Sequence, residues 1–214
     1  FFPALKTVTF GDKNVLPSEV LDEISGEYPD IKFNPSEMMI VSPDEGGMSR
    51  VMYYSSMLGI ELGMFYKRRN YSIIVDGRNP IEAHEFLGHS VEGRDVVIVD
   101  DMISSGESML EVAAALKERK ANKIFVFSTF GLFTNGLDKF DKAYENGIID
   151  KVLTTNLIYQ TPELLQREWY INCDMSKYIA YIIDTLNHDS SISDLLNPNE
   201  RIQNIVAKYK KGEL

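Results

Sequence analysis

The chain has 214 residues, 44% hydrophobic and 25% charged, an ordinary globular composition long enough for one large domain or two small ones. Its formal net charge of −10 argues against a non-specific nucleic-acid binder, which normally carries a basic surface. A single cysteine, Cys173, excludes an internal disulfide framework and fits a reducing, cytoplasmic setting, and no apolar run approaches transmembrane length.

Residues 1–37 are interrupted by Gly11, Pro17, Gly26, Pro29 and Pro35, and one short helix is expected there, at Ser18–Ile24. The start, Phe1-Phe2-Pro3, carries neither an initiator Met nor a basic-then-apolar leader, and reads as a processed or truncated piece. From Met38 the pattern becomes regular. It predicts strand Met38–Ser42, helix Met48–Leu58 and strand Leu62–Tyr66, then an irregular stretch over 67–94 with a short helix at Ile81–Leu87. Strand Val96–Val99, helix Ser108–Lys120, strand Lys123–Thr129, helix Leu137–Asn146 and strand Lys151–Thr154 follow. Strand Trp169–Cys173 leads into helix Met175–Leu186, and Ile192–Leu196 and Ile202–Tyr209 are short terminal elements before a solvated tail. Short strands alternating with helices predict an α/β fold with a parallel sheet and helices on both faces. The expected division is an N-terminal segment over 1–37, an α/β domain over 38–197, and a C-terminal helix and tail over 198–214.

The most informative run is Val96 to Ser108. Val96-Val97-Ile98-Val99 is too apolar to have a wet face, which places it centrally in the sheet. Asp100 and Asp101 follow at its carboxyl end, then Ser104-Ser105-Gly106-Glu107-Ser108 and a helix. Ligands of open α/β sheets bind outside the carboxyl ends of strands, and a helix N-terminus favours phosphate. Two carboxylates beside a phosphate cradle suit vicinal hydroxyls plus a phosphate, the chemistry of a sugar phosphate.

A second loop, Ser42-Pro43-Asp44-Glu45-Gly46-Gly47-Met48-Ser49-Arg50, also joins a strand to a helix. Its adjacent glycines allow a sharp turn and an anion nest, and Asp44 is placed to reach a Mg²⁺ held by phosphates. The same pattern also reads as a tight turn whose acids satisfy the dipole in the first helical turn. Lys67-Arg68-Arg69 begins the irregular stretch, and as part of a mobile loop it could neutralise a polyphosphate during phosphoryl transfer. Ser128 to Gly136 makes a third loop on the same edge of the sheet. Met48, Met52 and Met57 read as core fillers, and no Cys/His spacing suggests a structural zinc.

Together these motifs resemble the type I phosphoribosyltransferases, whose PRPP-binding signature is similar to Val97–Ile103. Asp44-x-Gly46-Gly47 and Lys67-Arg68-Arg69 narrow the resemblance to the ribose-phosphate diphosphokinases, or PRPP synthetases. It covers about Met38 to Leu196, including Ala180 to Leu196 at the end. The resemblance implies a phosphoribosyltransferase-like fold. It implies transfer of diphosphate from ATP to ribose 5-phosphate, giving PRPP and AMP, with Mg²⁺ as cofactor. Asp100 and Asp101 would hold the ribose hydroxyls, and Ser104, Ser105, Gly106, Glu107 and Ser108 the 5-phosphate. Asp44, Glu45, Gly46 and Gly47 would form the diphosphate loop, with Asp44 on the metal. Lys67 and Arg69 would be catalytic. A cytoplasmic homo-oligomer, a dimer or a hexamer, is also implied, without nucleic-acid or membrane partners.

The phosphate loop departs from the family pattern: Ser104 replaces an acid and Glu107 a glycine, so Glu107 must point away from a bound phosphate. Residues 1–37 do not match the family's body and would be the remnant of an N-terminal domain that supplies the adenine pocket. The chain alone is therefore expected to bind ribose 5-phosphate but make little PRPP. Two rivals remain: a phosphoribosyltransferase joining PRPP to a base, with 1–37 as its hood, and a catalytically silent regulatory subunit. PRPP consumption with purine and pyrimidine bases separates the first. Retention of Asp44, Lys67, Arg69 and Asp100 argues against the second.

Overall fold

The computed structural model describes residues 36–69, 81–196 and 199–211. The helix expected at Ser18–Ile24 lies outside them. Seven strands form one sheet in the order β3-β2-β1-β4-β5-β6-β7: β1 Met38–Ser42, β2 Glu61–Arg69, β3 Ile81–Leu87, β4 Asp95–Ile103, β5 Ile124–Gly131, β6 Lys151–Thr155 and β7 Tyr170–Cys173. Between and after them lie α1 Met48–Leu58, α2 Glu107–Glu118, α3 Asp138–Glu145, α4 Pro162–Leu165, α5 Ser176–Asn187, α6 Ser193–Leu196 and α7 Asn199–Lys210. All neighbouring pairs are parallel except β2 with β3.

The alternation of strand side chains divides the core in two. Met39, Val41, Val96 and Ile98 pack on one face with Val112, Leu116 and Phe140 of α2 and α3. Met38, Ile40 and Val99 pack on the other with Val51 and Tyr54 of α1. Both faces of the central strands are therefore covered, which is why β1 and β4 read as continuous apolar runs. Phe133, Phe140, Trp169 and Tyr170 form an aromatic cluster that includes Phe140 of α3, with Phe140 stacked on Trp169 and the other pairs edge-on or tilted. On the outer side of α1, Tyr53 Oη donates to Asn199 Oδ1 of α7 at 2.5 Å.

Three expectations are corrected. Ile81–Leu87 is a strand, not a helix. Seven residues make a marginal helix in isolation, whereas pairing with β2 satisfies their backbone groups. Gly63 on β2 makes room for this strand, since a Cβ there would come within 2.6 Å of Phe86 Cζ. The Arg119 guanidinium then lies over the Phe65 and Phe86 rings. Second, β4 does not end before the acid pair. It continues to Ile103 because β5 also runs on, pairing Asp100 with Ser128 and Met102 with Phe130. Third, Met52 is exposed rather than a core filler, and Val51 and Tyr54 take the buried positions of α1.

Candidate functional site

The strand order reverses at β1: β2 lies on one side and β4 on the other. Such a reversal opens a crevice at the carboxyl ends of the two strands. The loops after β1 and after β4 are the two that carry the acidic and glycine-rich motifs.

In the loop after β1, Ser42 Oγ donates to the Asp44 carbonyl at 2.6 Å, and the Gly47 N–H donates to Asp44 Oδ1 at 3.1 Å. The second bond turns the Asp44 carboxylate toward the start of α1. A Cβ at Gly47 would meet Ser42 Oγ at 2.3 Å, so glycine is required for this close turn. Asp44, Glu45 and Gly46 are exposed. The acids precede α1 and none lies in its first turn, contrary to the turn-capping reading.

The first turn of α1 instead contains Arg50. Its Nη1 donates to Asp100 Oδ1 at 3.0 Å, and its Nη2 lies 3.4 Å from Asp101 Oδ2. The Arg50 side chain is only 11% exposed and that of Asp100 23%, so this pair is shielded from water. Asp101 is open at 64%. The Asp101 N–H also donates to Asp100 Oδ1, at 2.8 Å. Burial raises the Asp100 pKa from the usual 3.8 to about 6, and the nearby carboxylates of Asp101 and Asp44 add to the rise. Partial burial pushes Asp101 the same way, but the hydrogen bond with Asp100 and the Arg50 charge outweigh it and hold Asp101 below the usual range. The pair thus divides into one carboxyl that retains its proton to near pH 6 and one that stays ionised.

Arg50 had no role in the sequence reading. A signal existed: a cation in the first turn of a helix opposes the dipole and needs an acidic partner. That partner lies fifty residues away, beyond the reach of local pattern.

After β4 the chain turns through Ser104, Ser105 and Gly106 into α2. Gly106 has φ +80°, and a Cβ there would lie 2.2 Å from Phe140 Cε2. No side chain caps α2 at Gly106. Ser105 Oγ accepts from the Glu107 N–H at a long 3.4 Å. The Glu107 carboxylate pairs with Lys139 of α3, so it turns toward that helix. Ser104 and Ser108 are exposed. The third loop braces this one, with Leu132 and Thr134 N–H groups donating to the Ile103 and Ser104 carbonyls at 2.8 and 2.9 Å.

Lys67 and Arg69 do not lie in a loop after β2. They are part of β2, with Lys67 opposite His84 of β3 and a register shift between Arg68 and Arg69. The extra strand pairing absorbs residues that their charge marked as irregular. Their side chains lie outside the described residues. Among the described residues no cluster of three or more His, Cys, Asp or Glu side chains could by itself hold a metal ion. No helix there is long and apolar enough to cross a membrane.

A mostly parallel sheet with acidic and glycine-rich loops flanking its reversal point defines a protein of the phosphoribosyltransferase-like α/β class. Residues 72–197 match the family model described as the phosphoribosyl synthetase-associated domain, and the chain belongs to that family. The chain is 33% identical over 165 residues to the ribose-phosphate pyrophosphokinase of Vibrio cholerae, covering 77% of this chain and 49% of that one. It is 38% identical over 128 residues to the enzyme of that name from Ureaplasma parvum, covering 59% and 37%. The crystal structure of phosphoribosylpyrophosphate synthetase from Mycobacterium smegmatis shares the fold, with a TM-score of 0.62 at 19% identity, over 81% of this chain and 51% of that chain. The chain spans about half the length of the relatives it matches.

Proposed function

We propose that this chain carries the ribose 5-phosphate half of a ribose-phosphate diphosphokinase site, where diphosphate passes from ATP to ribose 5-phosphate to give PRPP and AMP. The observation that carries this reading is the pairing of two loops at the sheet reversal: the Asp44–Gly47 turn beside the Asp100–Asp101 pair, bound together by Arg50. Family membership supports it.

In this reading Asp100 and Asp101 accept hydrogen bonds from the ribose 2- and 3-hydroxyls, which orients the 1-hydroxyl. The 5-phosphate sits on Ser104 to Ser108, where backbone N–H groups at the start of α2 and the Ser hydroxyls can donate. The 1-hydroxyl oxygen attacks the β-phosphorus of ATP and gives up its proton to solvent, the bond from that phosphorus to the α,β-bridging oxygen breaks, and AMP leaves with that electron pair. Lys67 and Arg69 on β2 meet the charge of the transferring diphosphoryl group, and alignment with electrostatics supplies most of the rate.

Mg²⁺ fits the crevice in its substrate-chelated form. Burial, with smaller additions from the Asp101 and Asp44 charges, raises Asp100, so added negative charge is disfavoured there, and one carboxylate plus phosphate oxygens is a common Mg²⁺ set. Asp44 would contribute that carboxylate, and the ion would neutralise polyphosphate charge. The assembly is a homo-oligomer in this reading. It is supported by α5, which buries no residue and exposes Ile179, Tyr181, Ile183 and Leu186.

The test uses the longest native form of the protein. Lys67→Ala should lower turnover by the loss of one transition-state donor, roughly 3–4 kcal/mol, with ribose 5-phosphate affinity nearly unchanged. A loss confined to binding would contradict the catalytic role. The 214-residue chain should bind ribose 5-phosphate yet release little AMP from ATP, and rapid AMP release by it would overturn that division of labour.

A further inference from the structure

Arg50 lies on the first turn of α1, three residues after Gly47 closes the turn around Asp44. Its side chain is 11% exposed, and the guanidinium spans both members of the acid pair on β4, at 3.0 Å from Asp100 and 3.4 Å from Asp101. An arginine fork can serve two carboxylates at once, whereas an ammonium is a point charge that cannot hold both in one fixed geometry. The contact also crosses the crevice. It joins the helix that follows the Asp44 loop to the strand that leads into the Ser104 loop. Shielding from water makes such a pair stiffer and more specific than a surface ion pair.

We propose that Arg50 is the positioning residue of this site: it holds Asp100 and Asp101 in the arrangement that accepts a vicinal diol, and couples the Asp44 loop to the sugar-phosphate loop. The proposal rests on the sugar-phosphate reading for the identity of the ligand, but not for the hold on the acids. The charged groups described around Asp100 are Asp101 on the same strand, Arg50 on α1 and Asp44 in the loop after β1. Arg50 is the cation described at this pair, so its removal leaves the carboxylates facing one another.

Two measurements on the folded protein test it, with thermal melting as the control for folding. Ribose 5-phosphate titrations by calorimetry should show at least a tenfold loss of affinity in Arg50→Gln and a smaller loss in Arg50→Lys. Carboxyl resonances of ¹³C-labelled aspartate should show the Asp100 titration midpoint moving up by about a unit or more in Arg50→Gln and less in Arg50→Lys. Arg50→Lys retains the charge and serves alone if Arg50→Gln does not fold. In a folded variant, an unmoved midpoint overturns the proposal, as does a sugar-phosphate affinity equal to that of the parent. If the parent binds no ribose 5-phosphate while the midpoint still moves, the sugar-phosphate reading fails and the hold of Arg50 on the acid pair stands.

Discussion

At Asp100 an acidic group is held where its charge works against the fold. Its pKa is about 6 in the folded chain against an ordinary 3.8, because burial and two neighbouring carboxylates oppose its charge. Below about pH 4 the group is protonated in both folded and unfolded chains and contributes nothing. Between pH 4 and 6 the folded chain keeps a proton that the unfolded chain has lost, so stability falls as pH rises, and above pH 6 the full penalty applies. The shift corresponds to at most about 3 kcal/mol, reduced by the Arg50 contact that Asn would weaken. Asp100→Asn should therefore stabilise the protein by roughly 1–2 kcal/mol at pH 7.5, or about 2–8 °C in Tm, and by almost nothing at pH 4. Calorimetric melting at the two pH values checks this, and an equal gain at both would contradict it. The same variant should bind ribose 5-phosphate poorly. Glu107 is the contrasting case. Its partnership with Lys139 joins two side chains that are more than half exposed, so Lys139→Ala should cost less than about 1 kcal/mol in denaturant unfolding.

Among the elements, those decided by local pattern were legible. Met38–Ser42 and Met48–Leu58 are found with the bounds expected from the sequence, and Gly59, at φ 68°, closes the helix. Elements decided by a distant neighbour were not. β3 exists because β2 offers it a backbone ladder, and β4 and β5 extend one another beyond the residues that periodicity marks. Arg50 was hidden for the same reason, since its partner is on another element. The turn into α2 shows such coupling at one atom. Gly106 combines a left-handed φ of +80° with the Phe140 ring of α3 occupying the place a Cβ would take. Gly106→Ala should cost roughly 2–4 kcal/mol, from backbone strain together with overpacking. A double-mutant cycle with Phe140→Leu should recover the packing share but not the strain. Full additivity of the two changes would show that the ring does not set this turn.

For the whole molecule, strand order brings separate motifs together at one sheet edge. The acid pair and the Asp44 turn are more than fifty residues apart in sequence, yet the reversal at β1 places their strands side by side. Alternating strands and helices indicated a parallel sheet covered on both faces, and the structure has it, with β3 as the antiparallel addition. What alternation could not show was which strands are neighbours. The apolar exposure of α5 belongs to this scale too. Ile183→Asp should shift sedimentation toward a smaller species if α5 seats a second copy, whereas an unchanged profile would remove α5 from the interface.

A sugar phosphate is the ligand proposed for the crevice between β1 and β4. Titration calorimetry of the 214-residue chain with ribose 5-phosphate tests it most directly, with ribose and inorganic phosphate as separate injectants and Asp100→Ala as the comparison. Saturable binding of ribose 5-phosphate at one site, far weaker binding of either fragment, and loss of affinity in Asp100→Ala are expected. Absence of binding, or equal affinity in Asp100→Ala, would contradict it.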